Sequence, residues 1–218
     1  MFKAAFFDLD GTLVNSLYDL AASTNHVIAK YGFNKREVDE FKYFVGDGIP
    51  KMLQRAIGEE IEAETFEKIK NEFLQYYAEH CADETCAYEG IVGLLMFLKS
   101  KGVKLAVVTN KAQEMAEKVV DEVFGFVLKF DYILGMQPGI PAKPDPTGVL
   151  MAMDKLGVKP NECVFVGDTG MDVAAGVNSG AYAVGVLWGY REKDELEKSG
   201  AVAFAKEPKE IANIVMGE

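Results

Sequence analysis

The sequence predicts a doubly wound α/β fold interrupted near its start by an all-helical insertion. Short apolar runs of strand length alternate with segments of helical period over most of the chain, the pattern of βαβ units and a parallel sheet covered on both faces. The stretch from Ser16 to about Ala82 departs from that rhythm and offers helical patterns alone. At 218 residues the chain suits one main core with a smaller lobe rather than two full-sized domains.

The elements follow in order. Lys3–Phe7 is an apolar run that ends in acids, a first strand. Ser16 is placed to N-cap a helix running to Tyr31, with Gly32 as its stop. Asn34 is placed to cap a second helix, and Ile61–His80 reads as a long third one. These helices are expected to form a cap domain, residues 15–85, hinged near Asn15 and near the acidic linker Asp83–Tyr88. The core is then residues 1–14 plus 86–218. Its next helix carries Ile91, Leu94, Leu95 and Leu98 as an apolar stripe, and strands follow at Val103–Val108 and Tyr132–Leu134. Val149, Met153 and Leu156 mark another helix, stopped by Gly157. Cys163–Val166, Ala183–Leu187 and a weaker Val202–Phe204 complete the strands.

Composition narrows the function. The chain is 49% apolar and 26% charged, with a formal net charge of -11 and no stretch rich enough in Lys and Arg to form a basic stripe. Nucleic acid and anionic membrane are therefore not expected as partners. An anionic substrate would be repelled on average, so its site must attract it locally, by a cation, a lysine or backbone N–H groups. Cys81, Cys86 and Cys163 form no C-x-x-C pair and read as reduced thiols. Only His26 and His80 are present, too few for a histidine zinc site or a Ser-His-Asp triad. The start, MFKAAFFDLD, is too briefly apolar for a signal peptide, and a cytoplasmic location is expected.

Ligands of an open α/β sheet bind beyond the carboxyl ends of its strands. The residues standing there are Asp8, Thr109, Lys143 and Asp168. Asp8 and Asp10, two apart past a buried strand, suit a carboxylate nucleophile and a proton donor beside it. Taken alone they are also a strand end with an Asp-Gly turn. Thr109 and the N–H groups from Asn110 onward suit phosphoryl oxygens at the start of a helix near Lys111, although a plain Thr N-cap looks the same. Lys143, stiffened by Pro141 and Pro144, could pair with Asp8 and offset phosphoryl charge; an exposed loop lysine is the alternative. Asp168 and Asp172, four apart at a strand-to-helix turn, suit a hard metal such as Mg²⁺, or simply a helix start that favours acids. Each has its plain alternative; the four together point to phosphoryl chemistry with a divalent metal.

In combination FFDLDGTLVNS, VVTN, KPDP and VGDTGMD resemble, in order, the four motifs of the haloacid-dehalogenase-like superfamily, most closely its phosphoglycolate phosphatase group. The resemblance spans nearly the whole chain. It implies a Rossmann-like core, a helical cap and Mg²⁺-dependent hydrolysis of a small phosphomonoester through an aspartyl-phosphate. It further implies Asp8 as nucleophile, Asp10 as acid/base, Thr109 on the phosphoryl group and Lys143 stabilising its charge. The metal would rest on Asp8, Asp168 and the backbone carbonyl of Asp10, with Asp172 supporting the shell directly or through water. Dehalogenases and phosphonate hydrolases depart from the chain at Asp10.

Within the cap, Phe44–Pro50 resembles the glycine-containing substrate loop of the same group, so Gly46 and Gly48 are expected at the substrate. Lys42, Lys51 or Arg55 would meet a carboxylate or second phosphate, and Asp47 alternatively caps a helix. A β-phosphoglucomutase-like isomerase is the first rival; it carries a His where this chain has Leu20, and usually Ser in place of Thr109. A pyrophosphatase on the same scaffold and a silent metabolite-binding protein are the others, the last opposed by the presence of Asp8, Asp10, Lys143 and Asp168. The expected partner is a small phosphorylated metabolite, and the chain is expected to be a monomer or homodimer.

Overall fold

The computed structural model describes residues 1–217. The chain opens with β1 (Ala4–Phe7) and β2 (Val14–Asn15), then enters a helical lobe of α1 (Leu17–Lys30), α2 (Phe41–Phe44), α3 (Ile49–Ile57) and α4 (Ala63–His80). It returns through β3 (Cys86–Ala87), α5 (Ile91–Ser100), β4 (Lys104–Ala112), α6 (Gln113–Phe124) and β5 (Tyr132–Met136). Then come α7 (Thr147–Leu156), β6 (Cys163–Gly167), α8 (Gly170–Ser179), β7 (Tyr182–Val186), α9 (Lys193–Lys198), β8 (Ala203–Ala205) and α10 (Pro208–Met216). Six strands form one sheet in the order β5-β4-β1-β6-β7-β8, and every pairing in it is parallel. The predicted doubly wound α/β core is what the chain forms.

β1 shows why its sequence lacks the polar alternation of a half-exposed strand. Ala5 and Phe7 pack with Leu94, Leu95 and Leu98 of α5 and Ile211 of α10. Ala4 and Phe6 point the other way, onto Val149, Ala152 and Met153 of α7. A strand covered on both faces reads as one continuous apolar run. Each fully buried Phe adds roughly 1.5–3 kcal/mol of stability relative to exposure.

β4 runs four residues beyond the expected Val108, with a register shift against β5 between Val108 and Ala112. Thr109, Asn110 and Lys111 are therefore strand residues. The helix expected near Lys111 begins at Gln113, so Thr109 is not its N-cap. The sheet's hydrogen bonds outcompete the local capping preference here.

The lobe also differs in detail from expectation. Ser16 stands at the N-cap of α1 but its side chain makes no capping bond; its hydroxyl donates to Asp10 Oδ1 at 2.6 Å. The segment after Gly32 holds no helix begun at Asn34; a 3-10 turn starts at Val38. Asp47 does not cap α3, whose N-cap is Gly48. The core of the sheet continues without a break into the lobe, where Leu17, Leu20, Leu53 and Phe73 are buried together.

The two crossings between sheet and lobe lie side by side. β2 and β3 pair antiparallel, Val14 opposite Ala87 and Asn15 opposite Cys86. Asp19 of α1 braces them: its buried carboxylate accepts from the N–H of Glu84 at 3.0 Å, the N–H of Thr85 at 2.9 Å and the Thr85 hydroxyl at 2.7 Å. Among the described residues no helix is long and apolar enough to cross a membrane, and all three cysteines are free.

Candidate functional site

Asp8 is the first residue past β1, buried at the carboxyl edge of the sheet. The chain then turns back on itself at Gly11, which has φ +86° and whose absent Cβ would lie 2.3 Å from Asp168 Oδ2. Only glycine tolerates that backbone and that approach. Thr12, one residue on, donates its hydroxyl to Asp168 Oδ1 at 2.9 Å, and the N–H of Tyr190 donates to Oδ2 at 2.9 Å. Asp168 follows β6, the neighbour of β1, so parallel pairing alone sets these acids side by side.

Asp172 lies in the first turn of α8. Its Oδ2 accepts from the N–H and hydroxyl of Thr169 at 2.9 and 2.7 Å, a cap that fixes the helix start. Its Oδ1 accepts from Lys143 Nζ at 2.5 Å. The same ammonium donates to Asp8 Oδ1 at 2.6 Å and to the carbonyl of Val108 at 3.1 Å. Lys143 is thus a buried lysine rather than an exposed loop residue. Its loop is anchored by Asn110, whose Oδ1 accepts from the Lys143 N–H at 2.8 Å and whose Nδ2 donates to the carbonyl of Gly46 in the lobe at 3.0 Å.

The carboxylate oxygens of Asp8, Asp168 and Asp172 come within 4.8 Å of one another. Three buried acids and one ammonium lie together, and the titration of Asp8, Asp168 and Lys143 reflects it. Burial, then the charge of Asp172, pushes the Asp8 carboxyl up to about 6, with Lys143 partly opposing. Asp168 is raised well above the ordinary carboxylate range by burial and by Asp172 and Asp8. Burial pulls Lys143 down, but Asp172 and Asp8 outweigh it and hold the ammonium above its usual range. An all-oxygen cluster with surplus negative charge fits a hard divalent cation. The carboxylate of Asp10 lies apart from this cluster, facing Ser16 and Lys111.

Between sheet and lobe lies a cavity of about 40 Å³ that Asp8, Asp10, Thr109 and Asn110 share with the lobe's Gly46 and Gly48. All the residues expected at the substrate border it except Lys143, which reaches Asp8 from behind. The lobe's basic side chains do not. Lys42 pairs with Asp39 at 2.8 Å, Arg55 is held by Asp47 and donates to the carbonyl of Phe44 at 2.8 Å, and Lys51 is exposed 3.8 Å from Asp47. The cavity instead contains Lys111 and Tyr77, neither singled out by the sequence. Lys111 stands two residues from Thr109, the strand period that puts two side chains on one face, and that spacing was the available signal. Arg191 was likewise missed; from the loop after β7 it bonds the carbonyls of Lys42 and Val45, fastening sheet to lobe.

The family model described as haloacid dehalogenase-like hydrolase matches residues 5–186. A phosphoglycolate phosphatase of Aquifex aeolicus is 34% identical over 188 residues, 86% of each chain. An N-acetylmuramic acid 6-phosphate phosphatase of Pseudomonas aeruginosa is 30% identical, over 98% of this chain and 94% of its own. Among solved structures, a predicted phosphoglycolate phosphatase from Haemophilus somnus superposes with a TM-score of 0.89 at 30% identity, covering 98% of this chain and 97% of that one.

Proposed function

The chain belongs to the haloacid dehalogenase-like hydrolases, and on that premise we propose that it is a Mg²⁺-dependent phosphatase acting on a small, phosphoglycolate-like phosphomonoester through a phosphoaspartate at Asp8. The observation that carries the proposal is the reach of Lys143 Nζ to Asp8 Oδ1 at 2.6 Å, beside the cavity bordered by Asp10 and Thr109.

Asp8 Oδ2, the oxygen not held by Lys143, attacks phosphorus as the ester P–O bond breaks. Asp10, two residues on, gives its proton to the leaving oxygen and afterwards takes one from the water that attacks the phosphoaspartate. That second attack breaks the bond between phosphorus and Asp8 and releases inorganic phosphate. Thr109 Oγ1 and the backbone N–H groups at the end of β4 hold the phosphoryl oxygens, and Lys143 offsets their charge in a transition state where it spreads over all of them. Asp8 and Asp168, with the Asp10 backbone carbonyl and with Asp172 steadying the shell, would hold Mg²⁺, which would supply further positive charge there. The buried position of Asp8, beneath the lobe, keeps bulk water from the acyl phosphate.

The test is an acid quench after mixing with radiolabelled substrate and Mg²⁺. The wild type is expected to carry a base-labile label that Asp8→Asn lacks, with turnover in the variant reduced by about 10⁴-fold or more. Undiminished phosphate release by pure Asp8→Asn would remove Asp8 from the nucleophile's role.

A further inference from the structure

The phosphoryl end of the site is accounted for; its opposite end, where the rest of the substrate must lie, contains a buried cation that the mechanism does not use. Lys111 Nζ sits 3.1 Å from both carboxylate oxygens of Asp10 and donates to the hydroxyl of Tyr77, on α4 of the lobe, at 2.6 Å. Its side chain is 3% exposed. It lines the cavity that Asp8 and Asp10 border, and it is the one cation among that cavity's lining residues.

Building on the phosphatase reading above, we propose that Lys111, with the Tyr77 hydroxyl, binds a carboxylate on the leaving fragment of the substrate, and so selects short phosphorylated hydroxy acids. Three observations carry this. Lys111 Nζ meets both oxygens of Asp10 at 3.1 Å, longer than the 2.7–2.9 Å usual for a charge-assisted bond to a carboxylate, and makes its short contact to Tyr77. A second carboxylate can therefore take over one of the two long contacts to Asp10. Tyr77 accepts from Lys111 but donates to no group among the described residues, and its ring is buried. A buried hydroxyl with an unspent proton beside a buried ammonium forms a two-point anion receptor in need of its anion. The rest of that side of the cavity, Leu20, Val45, Ile49 and Met52, is apolar and offers a charged tail nothing.

The geometry also limits the length of the substrate. Asp10 must reach the ester oxygen, and Lys111 Nζ lies 3.1 Å beyond Asp10's carboxylate. A carboxylate on the carbon bonded to the ester oxygen falls within reach of both. One several carbons further along would be carried past Lys111 into the apolar wall.

The experiment compares kcat and KM for phosphoglycolate and for ethyl phosphate, which has the same chain length and a neutral tail, with Mg²⁺. Wild type is expected to prefer phosphoglycolate by about 100-fold in kcat/KM, the scale of a buried hydrogen bond to a charged group. Lys111→Gln is expected to slow both substrates, since Asp10 loses a neighbour, and to shrink that preference to about 5-fold or less. Tyr77→Phe, which keeps the ring in the core, should cut the preference by about 5-fold, mostly through KM. Equal losses on both substrates in Lys111→Gln, or an unchanged preference in Tyr77→Phe, would overturn the assignment and leave Lys111 as a positioning residue for Asp10. Turnover of ethyl phosphate by wild type with no preference for phosphoglycolate would overturn it while leaving the phosphatase standing. Hydrolysis of neither would strike at the phosphatase reading itself, and the tail receptor would fall with it.

Discussion

Lys143 is the residue on which the electrostatics of the acid cluster depend. Its ammonium contacts two of the three clustered carboxylates, Asp8 and Asp172, and all of these groups are buried. Removing one member of a buried ion pair leaves a charge with neither water nor partner, a loss of about 3–5 kcal/mol. Lys143→Met is therefore expected to lower the metal-free unfolding free energy by about 3 kcal/mol, read from the urea midpoint at constant slope. Added Mg²⁺ should restore much of that stability, since it replaces the missing positive charge, but not the turnover. A variant as stable as wild type without metal would show that the cluster does not need the lysine's charge.

Among the elements, the braced pair of crossings deserves its own test. Asp19 ties α1 to the residues before β3 through the N–H groups of Glu84 and Thr85 and the Thr85 hydroxyl. Asp19→Ala strands buried donors, at about 1–3 kcal/mol, and is expected to bring faster proteolytic cleavage between α4 and β3. Unchanged cleavage there would show that the lobe's return path is held by packing alone. These crossings also mark the limit of what the sequence discloses. The strands of the sheet and the acids at their ends were legible because an apolar run that stops at Asp8 or Asp168 carries both signals in a few adjacent residues. β2 and β3, two residues each, are too short to show a period. Ser16, Asn34 and Asp47 have the chemistry of helix caps, yet Ser16 spends its hydroxyl on Asp10 and Asp47 its carboxylate on Arg55. Those partners are chosen by the folded packing, so local propensity does not find them. The catalytic candidates were brought together by sheet order; Lys111 and Tyr77 required the lobe to be seen folded onto the sheet.

For the molecule as a whole, the acid cluster couples stability to pH and to metal. The Asp8 carboxyl rises from its ordinary 3.8 to about 6 in the folded chain, and Asp168 moves in the same direction. The folded state thus binds more protons than the unfolded one in that window, so this contribution to stability is complete below about pH 4 and is lost as pH rises through about 6. A divalent ion favours the ionised acids and opposes that loss. Magnesium at a hundredfold excess over Kd should stabilise the fold by about 2.7 kcal/mol, and should therefore raise the Tm more at pH 7.5, where it binds the ionised acids, than at pH 5. Asp168→Asn is expected to lose most of this gain. Thermal melts with Mg²⁺ and with EDTA at the two pH values decide it, and a metal effect independent of pH would separate the cluster from the ion.

The pairing of Asn15 with Cys86 has a consequence for descent as well as for motion. The helical lobe leaves the sheet and rejoins it at one place, with its two ends already neighbours. Such an insertion is a single splice point. A lineage could exchange the lobe, and with it the Gly46, Gly48 and Tyr77 that border the cavity, while inheriting unchanged the acids at the strand ends.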